Sequence, residues 1–355
     1  MKIGFAIGTL RYSGAEKIAR LLIEALHHQY GHEIGLILIS GEGPYEEFPY
    51  VKQFPIKTTG NRYTRTWKRQ KMIRDIVKKE KYDVVVSFGV KFNLDVMEAL
   101  QFTGTKVILC ERNDPVSDPH RKVLRLRRRL CYPAAKAFVF QTDRIAAFFG
   151  KAIAKRSAII PNFIENKLPM LYREDAPNRV VLTARLDDRQ KNISMLLRAF
   201  ERFSKDNDYQ LYIVGDGPDE GKFKQYVADH NLEEKVIFTG RQNVYDYLKD
   251  AQIYVLPSNY EGMPNSLIEA MASGIPCIAT DCSGGGAAYL IEPGVSGTLI
   301  PVDDEDVLVQ ALQTLAGDPD LRKAYSQAAY KLNERLEFNK IMTAWVDFIQ
   351  SVAKQ

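Results

Sequence analysis

The strongest constraint on the fold is a rhythm. Short runs of β-branched and aromatic residues alternate with helical patterns, stop, and start again. In the first series KIGFAIG, EIGLILIS, DVVVSFG, KVILCE and AFVFQ read as buried strands, with amphipathic stretches such as AEKIARLLIEALHHQ between them. Near-continuous apolar strands separated by helices predict a parallel sheet covered on both faces. The stretch SAIIPNFIENKLPMLYREDAPN breaks the rhythm, with prolines at 161, 169 and 177 and no helical period. A second series follows in NRVVLTARL, YQLYIVGDG, KVIFTG, IYVLPS and IPCIAT, with helices such as SMLLRAFERFSK and SLIEAMAS between. From about Asn339 to Lys354 the spacing predicts a closing helix with Ile341, Trp345, Phe348 and Ile349 on its apolar face. The expected architecture is α/β: a Rossmann-like domain over 1–163, a second over 164–337, and a helix over 338–355 returning to the first. Two such sheets in series leave a cleft faced by strand C-terminal ends, which is where ligands bind in open α/β sheets.

Composition narrows the function classes. Of 355 residues, 45% are hydrophobic and 26% charged, which excludes a disordered chain. The longest apolar runs fall far short of the roughly 18 residues that span a bilayer. The opening MKIGFAIGTLRYSGAEK reads as strand and Gly-containing turn rather than a secretory signal. Cys110, Cys131, Cys277 and Cys282 form no CxxC pair, so reduced thiols in a cytosolic protein are expected. The five histidines show no metal-like spacing, and no metal site is expected. Charge is divided unevenly. Residues 1–163 hold 29 lysines and arginines against 15 acids, whereas the remainder holds 20 against 29. A basic half points to a phosphate-rich partner: nucleic acid, an anionic membrane surface or a phosphorylated ligand.

The most informative window is Ser258 to Gly274. Glu261 and Glu269 are eight apart, with Gly262, Pro264 and Asn265 forming a turn after the strand IYVLPS. A helix is expected to start near Ser266, taken as its N-cap. Its free N–H groups and positive dipole end suit a diphosphate. Glu261 then reaches a sugar bound there, and Glu269, one turn in, accepts from ribose hydroxyls. For the two glutamates alone, a solvated acidic helix start competes with this reading.

The full string from Glu261 to Pro276, E-G-x-P-x-x-x-x-E-A-M-A-x-G-x-P, resembles the signature of the retaining glycosyltransferases of family 4, which have the GT-B fold. The resemblance extends over nearly the whole chain through YSGAEK, the Pro161-Asn162 turn, ARLDDRQKN, VGDGPDE and FTGR. It implies that Arg185 and Lys191 neutralise a nucleotide diphosphate, both expected near solvent, and that Glu261 acts at the sugar. It implies further that Gly14 brings its backbone to the same phosphates, and that Arg241 meets the base largely through backbone. Asn265, Ser266, Leu267 and Glu269 complete the implied donor site. GDGPDEG at 215–221 lacks the G-x-G-x-x-G spacing and reads as the family's βα turn, not a dinucleotide fingerprint. The chain departs from the family twice. Ala287, Ala288 and Tyr289 follow Gly284-Gly285-Gly286 where an acid is common, and Glu111-Arg112-Asn113-Asp114 stands where many members carry a histidine.

Two basic runs sit in the first half. Arg62, Arg65, Lys68, Arg69, Lys71 and Arg74 are interleaved with Tyr63 and Trp67; RKVLRLRRRL carries Arg121, Lys122, Arg125, Arg127, Arg128 and Arg129. Basic residues mixed with apolar ones predict a helix at an anionic membrane interface, against the plainer reading of a solvated face. No nucleic-acid reading motif accompanies them. The resemblance thus implies a retaining transferase that moves a hexose or N-acetylhexosamine from a UDP-sugar, with no cofactor, to a lipid-diphosphate-linked glycan at the cytoplasmic face of the cell membrane. Its rivals are a GT-B UDP-sugar epimerase and a non-catalytic nucleotide-sugar or nucleic-acid binder.

Overall fold

A computed structural model describes residues 1–10 and 14–355, the side-chain surroundings of residues 14, 15, 62 and 91 excepted. The chain divides into two compact units, Met1–Phe163 with Phe338–Gln355, and Ile164–Glu337.

The first unit holds β1 (Lys2–Ile7), β2 (Glu33–Leu38), β3 (Lys52–Pro55), β4 (Val84–Phe88), β5 (Val107–Cys110), β6 (Ala137–Phe140) and β7 (Ser157–Ile159). They form one sheet in the order β3-β2-β1-β4-β5-β6-β7, parallel throughout. Alternation along the strands sends successive side chains to opposite faces. Val84 and Val86 pack with Phe5 of β1 and with Leu22, Trp345 and Ile349, which belong to the first and last helices on one face. Val85 packs with Ile73, Leu94 and Met97 on the other. The longer helices are α1 (Gly14–His28), α2 (Arg62–Glu80), α3 (Val90–Leu100), α4 (Lys122–Cys131) and the closing helix Phe338–Lys354.

Three helices of one face share a polar clamp. Asp95 of α3 takes Arg69 of α2 at 2.5 Å and Arg127 of α4 at 3.5 Å. Glu98, one turn on, takes Arg127 at 2.6 Å and Gln70 at 2.5 Å. Arg74, Arg125 and Arg128 are likewise tied to backbone carbonyls. The expected basic face is therefore smaller than the sequence implied, because much of its charge serves internal packing. What stays outside is Tyr63 and Trp67 on α2, and Val123, Leu126 and Leu130 on α4, all more than half exposed, beside Lys68, Lys71, Lys122 and Arg129.

The second unit holds β8 (Arg179–Thr183), β9 (Gln210–Val214), β10 (Val236–Gly240), β11 (Ile253–Leu256), β12 (Cys277–Thr280) and β13 (Thr298–Ile300). Its parallel sheet runs β10-β9-β8-β11-β12-β13. From β8 the chain winds outward one way and from β11 the other, so the switch point lies between them. The sequence pattern missed β3, β7 and β13. All three are short edge strands: one ends in Pro55, and the other two are three residues long. An edge strand needs only one paired side and carries little of the buried apolar signal.

Candidate active site

At the switch point of the second unit, two loops meet from opposite sides. The loop after β8 carries Arg185 and runs into the one-turn helix Asp188–Lys191; the loop after β11 carries Ser258 to Pro264 and runs into the helix Asn265–Ala272. Backbone and side-chain bonds stitch them together. The Asn259 N–H donates to the Gln190 carbonyl at 2.8 Å, and Asn259 Nδ2 donates to the Arg189 carbonyl at 3.2 Å.

The centre of this seam is an ion pair. Lys191 Nζ lies 2.5 Å from Glu261 Oε1, with side chains only 14% and 10% exposed. Ser258 Oγ donates to the same oxygen at 2.8 Å. Oε1 is thus filled, while Oε2 has no hydrogen-bond partner among the described residues. The expectation that Arg185 and Lys191 both sit near solvent holds for Arg185, which is exposed, and fails for Lys191. A carboxylate and an ammonium brought together in a half-buried seam neutralise each other there.

The surrounding scaffold was not visible in the sequence. Asp188 accepts from the Ser194 N–H at 2.9 Å, Ser194 Oγ at 2.7 Å and Lys222 at 2.6 Å. Burial opposes its ionisation, but these contacts outweigh it and hold the carboxyl below the usual range. The turn after β9 packs against the Arg185 loop, Leu186 donating to the Asp216 carbonyl at 2.9 Å and receiving from Asp219 at 3.0 Å. The Gly284–Gly286 turn supports the site from below. A Cβ on Gly286 would lie 1.8 Å from the Gly262 carbonyl oxygen, so only glycine lets this turn press on the E-G-x-P segment.

The helix Asn265–Ala272 starts one residue earlier than expected, with Pro264 at the cap and no side-chain cap bond. Ser266 is therefore not the N-cap. A hydrogen bond joins its side chain instead to the hydroxyl of fully buried Tyr254, which also lies 3.1 Å from Thr183 Oγ1. That chain ties the helix start to the end of β8. Leu267 is fully buried and presents only its backbone to any ligand. Glu269 is half-buried; after burial, its charge is the main influence pushing the Tyr245 hydroxyl up to about 12. Arg241 is exposed just beyond β10. Gly14 opens α1 of the first unit, while Tyr12 and Ser13 of the same loop lie outside the described residues.

In the first unit, the loop after β5 buries Glu111 and Asp114. Glu111 accepts from Tyr132 and, at 3.3 Å, from Asn93; burial is the main cause raising its carboxyl to about 7. Arg112 bonds Asn162 and lies over the Phe88 ring at 5.8 Å.

A "Glycosyltransferase Family 4" model matches residues 12–167, and a "Glycosyl transferases group 1" model matches residues 169–332. Among characterised relatives, an α-1,4-N-acetyl-D-galactosaminyltransferase of Campylobacter jejuni, named for a GalNAc-GalNAc-diNAcBac-PP-undecaprenol, is 28% identical over 99% of both chains. The amylovoran biosynthesis glycosyltransferase AmsD of Erwinia amylovora is 24% identical over 96% of this chain and 97% of its own. Among solved structures, the lipopolysaccharide outer core galactosyltransferase WaaB superposes with a TM-score of 0.82 at 22% identity, covering 99% of each chain. Anabaena HepE, solved with UDP-glucose, superposes with a TM-score of 0.81 at 18% identity, covering 99% of this chain and all of its own. With a Family 4 domain followed by a group 1 domain, each on its own doubly wound sheet, this chain belongs to the glycosyltransferases of GT-B fold.

Proposed function

We propose that the protein is a retaining glycosyltransferase that moves a hexose or N-acetylhexosamine from a UDP-sugar to a hydroxyl of a lipid-linked glycan in cell-surface polysaccharide assembly. The observation that carries this reading is the Lys191–Glu261 pair at the switch point, next to the start of the helix Asn265–Ala272. The backbone N–H groups of Asn265, Ser266 and Leu267 receive the diphosphate. Arg185 and Lys191 answer the charge that grows on the leaving UDP as the sugar–phosphate bond breaks. Fixed cations do this without a metal or other cofactor. Glu261 accepts sugar hydroxyls through Oε2, and Glu269 accepts from the ribose. Arg241 borders the base through its backbone. In a front-face retaining reaction the leaving phosphate oxygen takes the acceptor proton, so no histidine base is needed.

The acceptor side rests on the first domain. Names among the relatives include an undecaprenol diphosphate glycan and lipopolysaccharide, and the exposed basic and apolar residues of α2 and α4 suit an anionic membrane surface. The site of action is then the cytoplasmic face of the cell membrane, by peripheral attachment; among the described residues no helix is long and apolar enough to cross it. The test is a panel of radiolabelled UDP-sugars incubated with membrane lipid acceptor. Label in the lipid fraction with one donor is expected. Conversion of the UDP-sugar without acceptor would favour the epimerase alternative, and no turnover with any donor would end the proposal.

A further inference from the structure

The helix that carries Lys191 is too short to hold itself. Asp188–Lys191 is four residues long, and a single turn has few internal hydrogen bonds to set its direction. Its aim depends on what grips its two ends. At the start, the Asp188 N–H donates to Asp219 Oδ2 at 2.7 Å. At the finish stands Asn192, directly after Lys191, 7% exposed and left-handed at φ 49°, ψ 43°. Its N–H closes the turn on the Asp188 carbonyl at 2.9 Å, and its own carbonyl accepts from the Met195 N–H at 3.2 Å, at the head of the helix Ile193–Phe203. Glycine and asparagine take this conformation at the least cost. Of the two, only asparagine brings an amide.

That amide is held from the far edge of the sheet. Asn192 Nδ2 donates to Asp303 Oδ1 at 3.2 Å, across 111 positions of sequence. Asp303 lies in the loop after β13, and β11 and β12 separate β13 from β8. It too is left-handed, at φ 60°. Among the described residues five non-glycine residues have positive φ, and two of the five bond each other here. Such conformations persist where the surroundings impose them, and they gather at functional sites. The loop itself is anchored. Asp304 accepts from the Val307 N–H at 3.1 Å and caps the helix Glu305–Gly317. Arg198 and Arg202 of the helix Ile193–Phe203 hold Glu305 at 2.8 and 3.0 Å. Asp303 is exposed, so its carboxylate contributes little packing of its own beside this bond.

We propose that Asp303 is a positioning residue for Lys191: through Asn192 it fixes the left-handed turn that keeps the Lys191 ammonium against Glu261. The tie stands on the geometry of the second unit alone; its catalytic consequence rests on the function proposed above. Without the tie, the end of the one-turn helix is free to rotate. The cation is then no longer preorganised for charge that develops as the sugar–phosphate bond breaks.

Two measurements on the full chain test it. Asp303→Gly and Asn192→Gly each suit a positive φ and remove one end of the bond. With the UDP-sugar that labels the lipid fraction, each lowers kcat about tenfold, with donor KM within about twofold of wild type and an unchanged melting temperature. The Asn192→Gly/Asp303→Gly variant falls no further than either single one, because both delete the same bond. Asp303→Asn keeps an acceptor oxygen and restores kcat. Wild-type kcat in the single variants, a loss of about a hundredfold in the double variant, or an Asp303→Asn variant as slow as Asp303→Gly overturns the proposal. Hydrogen exchange reads the tie without turnover. In Asp303→Gly the amides of residues 188–192 and of Asn259, which donates to Gln190, exchange about tenfold faster, and Asp303→Asn returns them to the wild-type rate. Equal exchange in Asp303→Gly and wild type overturns the positioning role. Should the wild-type chain transfer sugar from no UDP donor while Asp303→Gly still loosens these amides, the proposed donor chemistry fails and Asp303 remains the residue that holds the Lys191 turn.

Discussion

Glu261 Oε1 receives both Lys191 and Ser258, so two side chains fix one carboxylate, and the losses of Arg185, Lys191 and Ser258 separate by measurement. Arg185→Ala removes an exposed cation and leaves the melting temperature unchanged. Lys191→Ala strips a buried carboxylate of its counter-charge and costs about 2 kcal/mol in chemical denaturation. Both lower kcat about 10²- to 10³-fold, because they act on charge that develops as the bond breaks. Either variant keeping more than about a tenth of wild-type kcat would displace the diphosphate from this seam. Ser258 touches no reacting atom in this account; it positions Glu261. Ser258→Ala therefore lowers kcat/KM about tenfold, the loss of one hydrogen bond to a charged group, and Ser258→Thr recovers most of it. Equal failure of the alanine and threonine variants would assign Ser258 to packing instead.

Among elements, the α2–α3–α4 layer is held by α3's acids as much as by apolar contact. Asp95→Ala leaves Arg69 and Arg127 facing each other without their shared carboxylate. Since the two arginines are 16% and 31% exposed, the cost is discounted to about 2–3 kcal/mol, read from urea denaturation. The segment after β5 makes a different prediction. Burial, against the Tyr132 and Asn93 hydrogen bonds, raises Glu111 from its ordinary 4.5 to about 7. Between those values the folded chain holds a proton that the unfolded chain has released, so this group's contribution to stability falls as pH rises through the window. The loss is about 3 kcal/mol in all, and it levels off above pH 7. Glu111→Gln keeps the hydrogen-bonding shape and flattens the slope between pH 5 and 7; an identical pH profile in wild type and variant would assign the slope elsewhere.

At the scale of the whole molecule, two doubly wound sheets and the closing helix are legible in the alternation of apolar strands with helical periods. That signal comes from burial on both faces, and the edge strands β3, β7 and β13 lack it. The string from Glu261 to Pro276 marks one side of the candidate site clearly. The pairing of Glu261 with Lys191, seventy positions away, is invisible until the sheet order brings β8 beside β11. The basic runs show the same limit: composition reveals Arg69 and Arg127 but not that Asp95 and Glu98 hold them inward. Asp188, Ser258 and Tyr254, which organise the seam, carry no motif signal because their roles depend on neighbours distant in sequence. The claim that joins these scales is that the switch point of the second unit binds a uridine diphosphate. Titration of UDP into the wild-type chain and the Glu269→Ala variant tests it most directly. The account predicts UDP binding that weakens about 10- to 100-fold in the variant, with the ligand-free melting temperature unchanged. Absence of UDP binding, or equal affinity in both proteins, would contradict it.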